Sequence, residues 1–173
     1  PPRNPSRTPL PVLHNSPVCM VGKSCEQGVS VLRGAIMFNA ESNSRVPQIS
    51  VLMGASYGAR HYGMCGRAFD PRFGFVWPSA RSSVMGAQQL ADVTSMVSRA
   101  SALSQGKPFD EEADAVIHAA IERQIEAESL PLFLSGYLYD DGVIDPRDTR
   151  TVLGLALSAI HNAPIEGSES FGV

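Results

Sequence analysis

Ile49-Ser50-Val51-Leu52-Met53 runs without a break into Gly54-Ala55-Ser56-Tyr57-Gly58-Ala59. The first five residues are apolar and partly β-branched, as a strand buried in a parallel sheet requires. The six that follow are small and turn-permissive, and a helix from about Ala59 to Arg67 fits what comes next. Phe73 to Trp77 reads as a second strand, stopped by Pro78. Ser83-Val84-Met85-Gly86 is a third short apolar piece, feeding a helix with Leu90, Val93, Met96, Val97 and Ala100 on one face. Strand, turn and helix recur, which predicts an α/β fold with parallel pairing.

Upstream, Leu10 to Leu13 is a short strand candidate, and Glu26 to Ala40 carries a helical stripe of Val31, Leu32, Ala35, Ile36 and Phe38. Residues 1–9 are a proline- and arginine-rich lead, expected to be an extended or cut edge outside the domain of residues 10–173. Downstream of Gly106 the pattern turns helical. Asp110 with Glu111 and Glu112 marks a helix start, followed by Ala113, Val116, Ile117, Ala120, Ile121 and Ile125 on one face. After a loop, Asp145-Pro146 opens a last helix with Val152, Leu153, Ala156, Leu157 and Ile160.

The chain has 173 residues, 43% of them apolar and 18% charged, enough to bury a core and too apolar for a disordered tail. A net charge of −3 gives no electrostatic case for nucleic acid or an anionic membrane. No apolar run reaches the roughly 20 residues that a membrane span needs. Cys19, Cys25 and Cys65 form no CxxC pair, so neither a disulfide framework nor a zinc site is expected. Asp140, Asp141, Asp145 and Asp148 lack the spacing of a calcium loop and read as turn and cap, with no metal. Cys65 reads as a packed thiol in a helix, and Arg67, Arg72 and Arg81 as partners of phosphate or of acidic side chains. The default compartment is cytosolic and reducing.

The glycine turn supports two chemistries. Gly54-Ala55-Ser56-Tyr57-Gly58 fits the G-x-S-x-G elbow of a serine hydrolase, with Asp145 and His161 following in the order Ser…Asp…His. Ser56 is then the nucleophile, His161 the base and Asp145 the orienter. The second chemistry uses the backbone. A strand feeding a glycine turn that opens a helix points N–H groups at one spot and stabilises an oxyanion with no ionisable side chain. The glycines also fit a third role, simple close packing of helix on strand.

Longer words narrow the choice. Val46 to Ala59, Tyr62-Gly63-Met64-Cys65-Gly66-Arg67-Ala68-Phe69, Trp77-Pro78-Ser79-Ala80-Arg81 and Leu138 to Arg150 resemble the carboxyltransferase (beta) subunits of biotin-dependent acyl-CoA carboxylases. The methylcrotonyl-CoA and actinobacterial types look nearest, from about Thr8 to the C-terminus. The resemblance implies a crotonase-like fold of stacked ββα units with C-terminal helices, of which this chain is the later part of the second domain. It also implies an acyl-CoA substrate, biotin carried on a biotinylated alpha subunit, and a homo-oligomer with a hexameric beta core. The compartment implied is the cytoplasm in bacteria or the mitochondrial matrix in eukaryotes.

In the chemistry implied, the cofactor supplies the base while the protein supplies placement and donors to a ureido oxyanion. By position those donors are the backbone N–H groups of Ala59 and Arg60, beside Gly58. Tyr57, His61, Tyr62 and Met64 line the pocket, and Val18 and Cys19 wall its far side. The chain departs from the family where Arg60 replaces a small residue and Val18-Cys19 a Gly-Phe pair. Val29 stands for a glycine, and Arg33 and Ile36 alter a His-Gly-Ala-Lys word. A catalytically eroded or truncated paralogue acting as an oligomer subunit is therefore the alternative to an active carboxyltransferase.

Overall fold

The structure, a computed structural model, describes residues 7–16, 23–28 and 30–165. In chain order the elements are β1 (Leu10–Ser16), α1 (Lys23–Gln27), α2 (Ser30–Ser42), β2 (Gln48–Tyr57) and α3 (Gly58–Tyr62). A 3₁₀ turn at Arg67–Phe69 leads to β3 (Phe73–Val76), β4 (Arg81–Ser83), α4 (Ala87–Ser104) and α5 (Glu111–Glu128). Then come α6 (Pro131–Gly136), β5 (Gly142–Val143), a 3₁₀ turn at Pro146–Asp148 and α7 (Thr149–Ile160).

The five strands form one sheet in which every pairing is parallel, as the recurring strand–turn–helix pattern predicts. Strand β2 is its axis. Along one edge it pairs with β1, from Leu10↔Gln48 to His14↔Leu52. Along the other it pairs first with β3 (Ile49↔Phe73 to Leu52↔Val76) and then with β4 (Ala55↔Arg81 to Tyr57↔Ser83). The strand is longer than the sequence predicts. The chain stays extended past Met53 to Tyr57, because β4 offers a second set of partners, and the turn comes at the end of the Gly54–Ala59 stretch. Gly54 instead allows close approach of β1, since a Cβ on it would overlap the Asn15 side chain.

Alternation along β2 separates its two faces. Ile49 and Val51, both fully buried, pack with Ala156 and Ile160 of α7, and Phe73, Phe75 and Trp77 extend that layer. Trp77 Nε1 donates to Thr149 Oγ1 at 3.0 Å, anchoring the start of α7 to the sheet. Ser50, Leu52 and Ser56 face the opposite way, toward α3. Helices α4 and α5 make a hairpin tied by Arg99–Glu111 at 2.8 Å and His118–Asp92 at 2.9 Å. Asp110 caps α5 as expected, its Oδ1 accepting from Glu112 N and Ala113 N.

Three local readings need correction. The helix expected over Glu26–Ala40 is divided between α1 and α2. Cys65 lies in a left-handed backbone conformation (φ 57°) after α3 rather than within a helix running to Arg67. The apolar stripes of α4 and α5 are only partly covered within this chain, with Met96, Val97 and Val116 each exposed by more than half.

Two stability tests follow from this framework. Gly58 has φ +55°, and a Cβ there would stand 2.9 Å from the Val84 carbonyl oxygen. Gly58→Ala therefore costs about 1–3 kcal/mol from left-handed strain and the Val84 contact. Thermal unfolding reads this as a fall of several degrees, and an unchanged midpoint rejects it. His14 is fully buried, and its pKa is lowered from 6.5 to about 4 by loss of solvent and by His61. The unfolded chain takes up a proton that the folded chain refuses, so stability is complete above pH 6.5 and falls as pH drops toward 4. The loss amounts to about 3 kcal/mol. Urea midpoints at a series of pH values check it, and a flat profile across that window refutes it.

Candidate active site

The chain reverses from strand to helix at Gly58, where the positive φ lets β2 turn directly into α3. No side chain caps α3, and Tyr57 at the cap position is extended (φ −119°, ψ 146°). The first-turn N–H groups of a helix have no acceptor within that helix. Gly58 and Ala59 border a cavity of about 740 Å³ whose walls are mostly apolar. Phe38, Leu52, Phe69, Val76, Val84 and Leu134 supply much of that wall, while His61, Arg67 and Asp140 add polar edges.

Below the turn lies a buried chain of polar side chains. Ser56 is fully buried, and its Oγ lies 3.0 Å from His61 Nδ1 and 3.1 Å from His14 Nδ1. The two rings are tilted at 51° with centroids 5.3 Å apart. Burial lowers the pKa of His61 as it does that of His14, so both rings are neutral near pH 7. His14 reaches Ser56 because β1 and β2 share a register irregularity between His14 and Ser16.

This arrangement does not assemble the hydrolase triad. The hydroxyl of Ser56 is sealed from solvent and bonded to His14 and His61, not to His161. His161 Nδ1 donates to the Leu157 carbonyl at 2.7 Å. Asp145 accepts from Arg147 N and from the Arg147 guanidinium, which holds its carboxyl below the usual range.

Of the residues singled out by sequence, Gly58, Ala59, His61 and Tyr62 border the cavity. Arg60 is exposed in the same turn, and Tyr57 and Met64 are half-buried outside the cavity lining. Burial, then the nearby Glu126 carboxylate, raises the pKa of Tyr57, with Arg81 opposing. Val18 and Cys19 lie outside the described residues. Cys65 borders the cavity as a buried thiol pushed up to about 12 by desolvation and Glu41, which leaves it protonated and unreactive. Arg81 pairs with Glu126 at 3.2 Å. Among the described residues, no group of three or more His, Cys, Asp or Glu side chains could hold a metal, and no helix is long and apolar enough to cross a membrane. The sequence reading missed His14, which carries no motif and meets Ser56 only through strand pairing.

Comparison with known proteins narrows this geometry to one family. Residues 3–171 match the family described as the carboxyl transferase domain. The chain is 64% identical over 170 residues to a Mycobacterium tuberculosis protein named as a probable biotin-dependent acyl-coenzyme A carboxylase beta2 subunit. That match takes in 98% of this chain and 32% of the relative. Among solved structures, the beta subunit of Pseudomonas (P. aeruginosa) geranyl-CoA carboxylase superposes with a TM-score of 0.80 at 36% identity, covering 97% of this chain and 32% of that one. The transcarboxylase 12S core, whose structure is described as a hexamer assembly, superposes with a TM-score of 0.73 at 29% identity, covering 95% and 30%. The chain thus spans about a third of the length of the relatives it matches. Its parallel sheet and flanking helices are part of the crotonase-like fold of those carboxyltransferases. On the match across nearly its whole length, the chain belongs to the carboxyl transferase domain family.

Proposed function

We propose that this chain forms the biotin-side half of an acyl-CoA carboxyltransferase site and takes part in moving a carboxyl group from carboxybiotin to an acyl-CoA. The observation that carries the reading is the uncapped first turn of α3 opening onto an apolar cavity. The cavity fits a flat, largely apolar bicycle with one polar edge, and Gly58 leaves room that a side chain would fill. Bound biotin supplies the carboxyl group and the base. The backbone N–H groups of Ala59 and Arg60 would hold the ureido oxygen of biotin and would stabilise negative charge on it. Tyr62 and the ring of His61 shape the entrance, and the apolar wall strengthens the amide dipoles by lowering the local dielectric.

The reading also includes a biotinylated alpha subunit as carrier and a homo-oligomeric beta core, hexameric as in the transcarboxylase relative. Support for an assembly comes from the exposed apolar faces of α4 and α5, together with Leu132, Leu138 and Leu155.

The test is carboxyl transfer between an acyl-CoA and free biotin, run with a full-length beta subunit that carries this sequence. Wild type is expected to turn over, and Arg60→Gly to be at least as active, because the backbone amide remains and a bulky cation leaves. Loss of turnover in Arg60→Gly assigns the work to the guanidinium and rejects the backbone reading. Inactivity of both, with stable co-assembly on an intact beta subunit, points to an oligomer subunit without catalysis. A fluorophosphonate probe is expected to leave Ser56 unlabelled, and labelling restores the hydrolase reading.

A further inference from the structure

Ser56 and His61 flank the turn that carries Gly58, Ala59 and Arg60, and the bond between them closes a six-residue ring of chain around those amides. Ser56 is in turn held from the neighbouring strand by His14. A serine hydroxyl has one proton, so it donates to only one of the two Nδ1 atoms. The other ring must therefore carry its own proton on Nδ1 and donate to the serine oxygen. With both rings neutral, the geometry thus requires His14 and His61 to be opposite tautomers. With Nδ1 engaged on Ser56, His61 keeps Nε2 for the cavity that its ring borders.

We propose that Ser56 and His14 are positioning residues: through His61 they hold the first turn of α3 in one orientation, so that the amides of Ala59 and Arg60 stay aimed at the cavity. The inference rests on the oxyanion reading of that turn, and it assigns to a buried serine the role of a strut rather than a nucleophile. Two observations support it beyond the distances. Ser56 and His14 have no exposed surface, so neither is available to a ligand. The Ser56–His61 bond also spans the backbone whose direction matters, where no side chain caps the helix. Protonation of whichever ring accepts the hydroxyl removes that acceptor and leaves two Nδ1–H donors facing the one serine oxygen. The other titratable groups around His61 are Tyr62, Cys65, Arg67 and Asp140 on the cavity wall, and none of them bonds to either ring.

The test uses the ¹⁵N-labelled chain and does not depend on turnover. Long-range ¹H–¹⁵N spectra distinguish the tautomers of the four histidines. His14 and His61 are expected to be neutral at pH 7 with opposite tautomers. As acid titrates either ring, the Ala59 and Arg60 amide signals are expected to move with it. In Ser56→Ala, which removes one oxygen, that coupling disappears, and backbone order parameters at residues 58–60 fall from about 0.85 toward 0.6. His14→Phe, which keeps a ring in the same space, gives a second version should Ser56→Ala fail to fold. Identical tautomers overturn the hydrogen-bond chain. Unchanged order parameters with retained coupling overturn the positioning role. Where wild type turns over, Ser56→Ala is also expected to lower kcat about tenfold to a hundredfold, with the KM for acyl-CoA little changed. An inactive wild type counts against the proposed function, and the spectra still decide the strut.

Discussion

A parallel strand inside a sheet must satisfy two ladders of backbone hydrogen bonds and cover two faces at once, and in this chain β2 carries that burden for the entire sheet. Its early half lies between β1 and β3, and its last residues exchange β3 for β4 while the pairing with Ser16 continues at Ser56. The change of partner along one edge prolongs the strand to Tyr57. Burial of Ile49 and Val51 against α7 fixes which face is core. The opposite face, carrying Ser50, Leu52 and Ser56, is thereby committed to α3 and the cavity. A slip of one residue would exchange the two sets, so the apolar packing on α7 and the orientation of the serine are set by the same register.

The site is economical in ionisable groups. Ser50 donates to the Cys65 carbonyl and Ser56 bridges two neutral imidazoles, so both hydroxyls beneath the cavity are bonded, while His14 Nε2 is buried without a partner. In the proposed chemistry, such hydrogen-bonded side chains would limit reorganisation around the backbone dipoles when charge develops. The same bonding also accounts for a G-x-S-x-G pattern without a triad. The serine of that pattern points inward, because the chain remains extended through it and reverses only at Gly58.

Much of the fold was legible because it is encoded locally. Ile49 to Met53, Phe73 to Val76 and the Asp110 cap are read from neighbours a few residues apart and appear where expected. Asp145-Pro146 instead opens a 3₁₀ turn, and the last helix starts only at Thr149. The turn falls at Gly58, inside the stretch read as turn-permissive. The strand before it was read four residues short, since nothing in Gly54-Ala55-Ser56-Tyr57 reveals that β4 will pair beside it. Cys65 was read as helical from the residues around it, whereas its φ of 57° ends α3 early. Of the cavity, the turn at Gly58 was visible as a glycine word. The His14–Ser56 contact joins residues 42 apart and has no local signature. The stripes of α4 and α5 were read correctly as apolar, yet periodicity says only that a face seeks cover, not that this chain provides it.

The last strand bears on how the molecule is made. β5 has two residues, and its pairing on β3 is secured by Asp141, which accepts from Gly74 N and donates to the Gly74 carbonyl across 67 positions of chain. Between them the chain must first complete the α4–α5 hairpin, so this edge of the sheet closes late in synthesis. Until then the row of backbone groups along Phe73 to Val76 stands open, in a segment rich in phenylalanine and free of charge. Such an edge invites pairing with another nascent chain. The helical hairpin thus sets a waiting time for β3, and the two-residue strand that follows it is the clasp that ends that exposure.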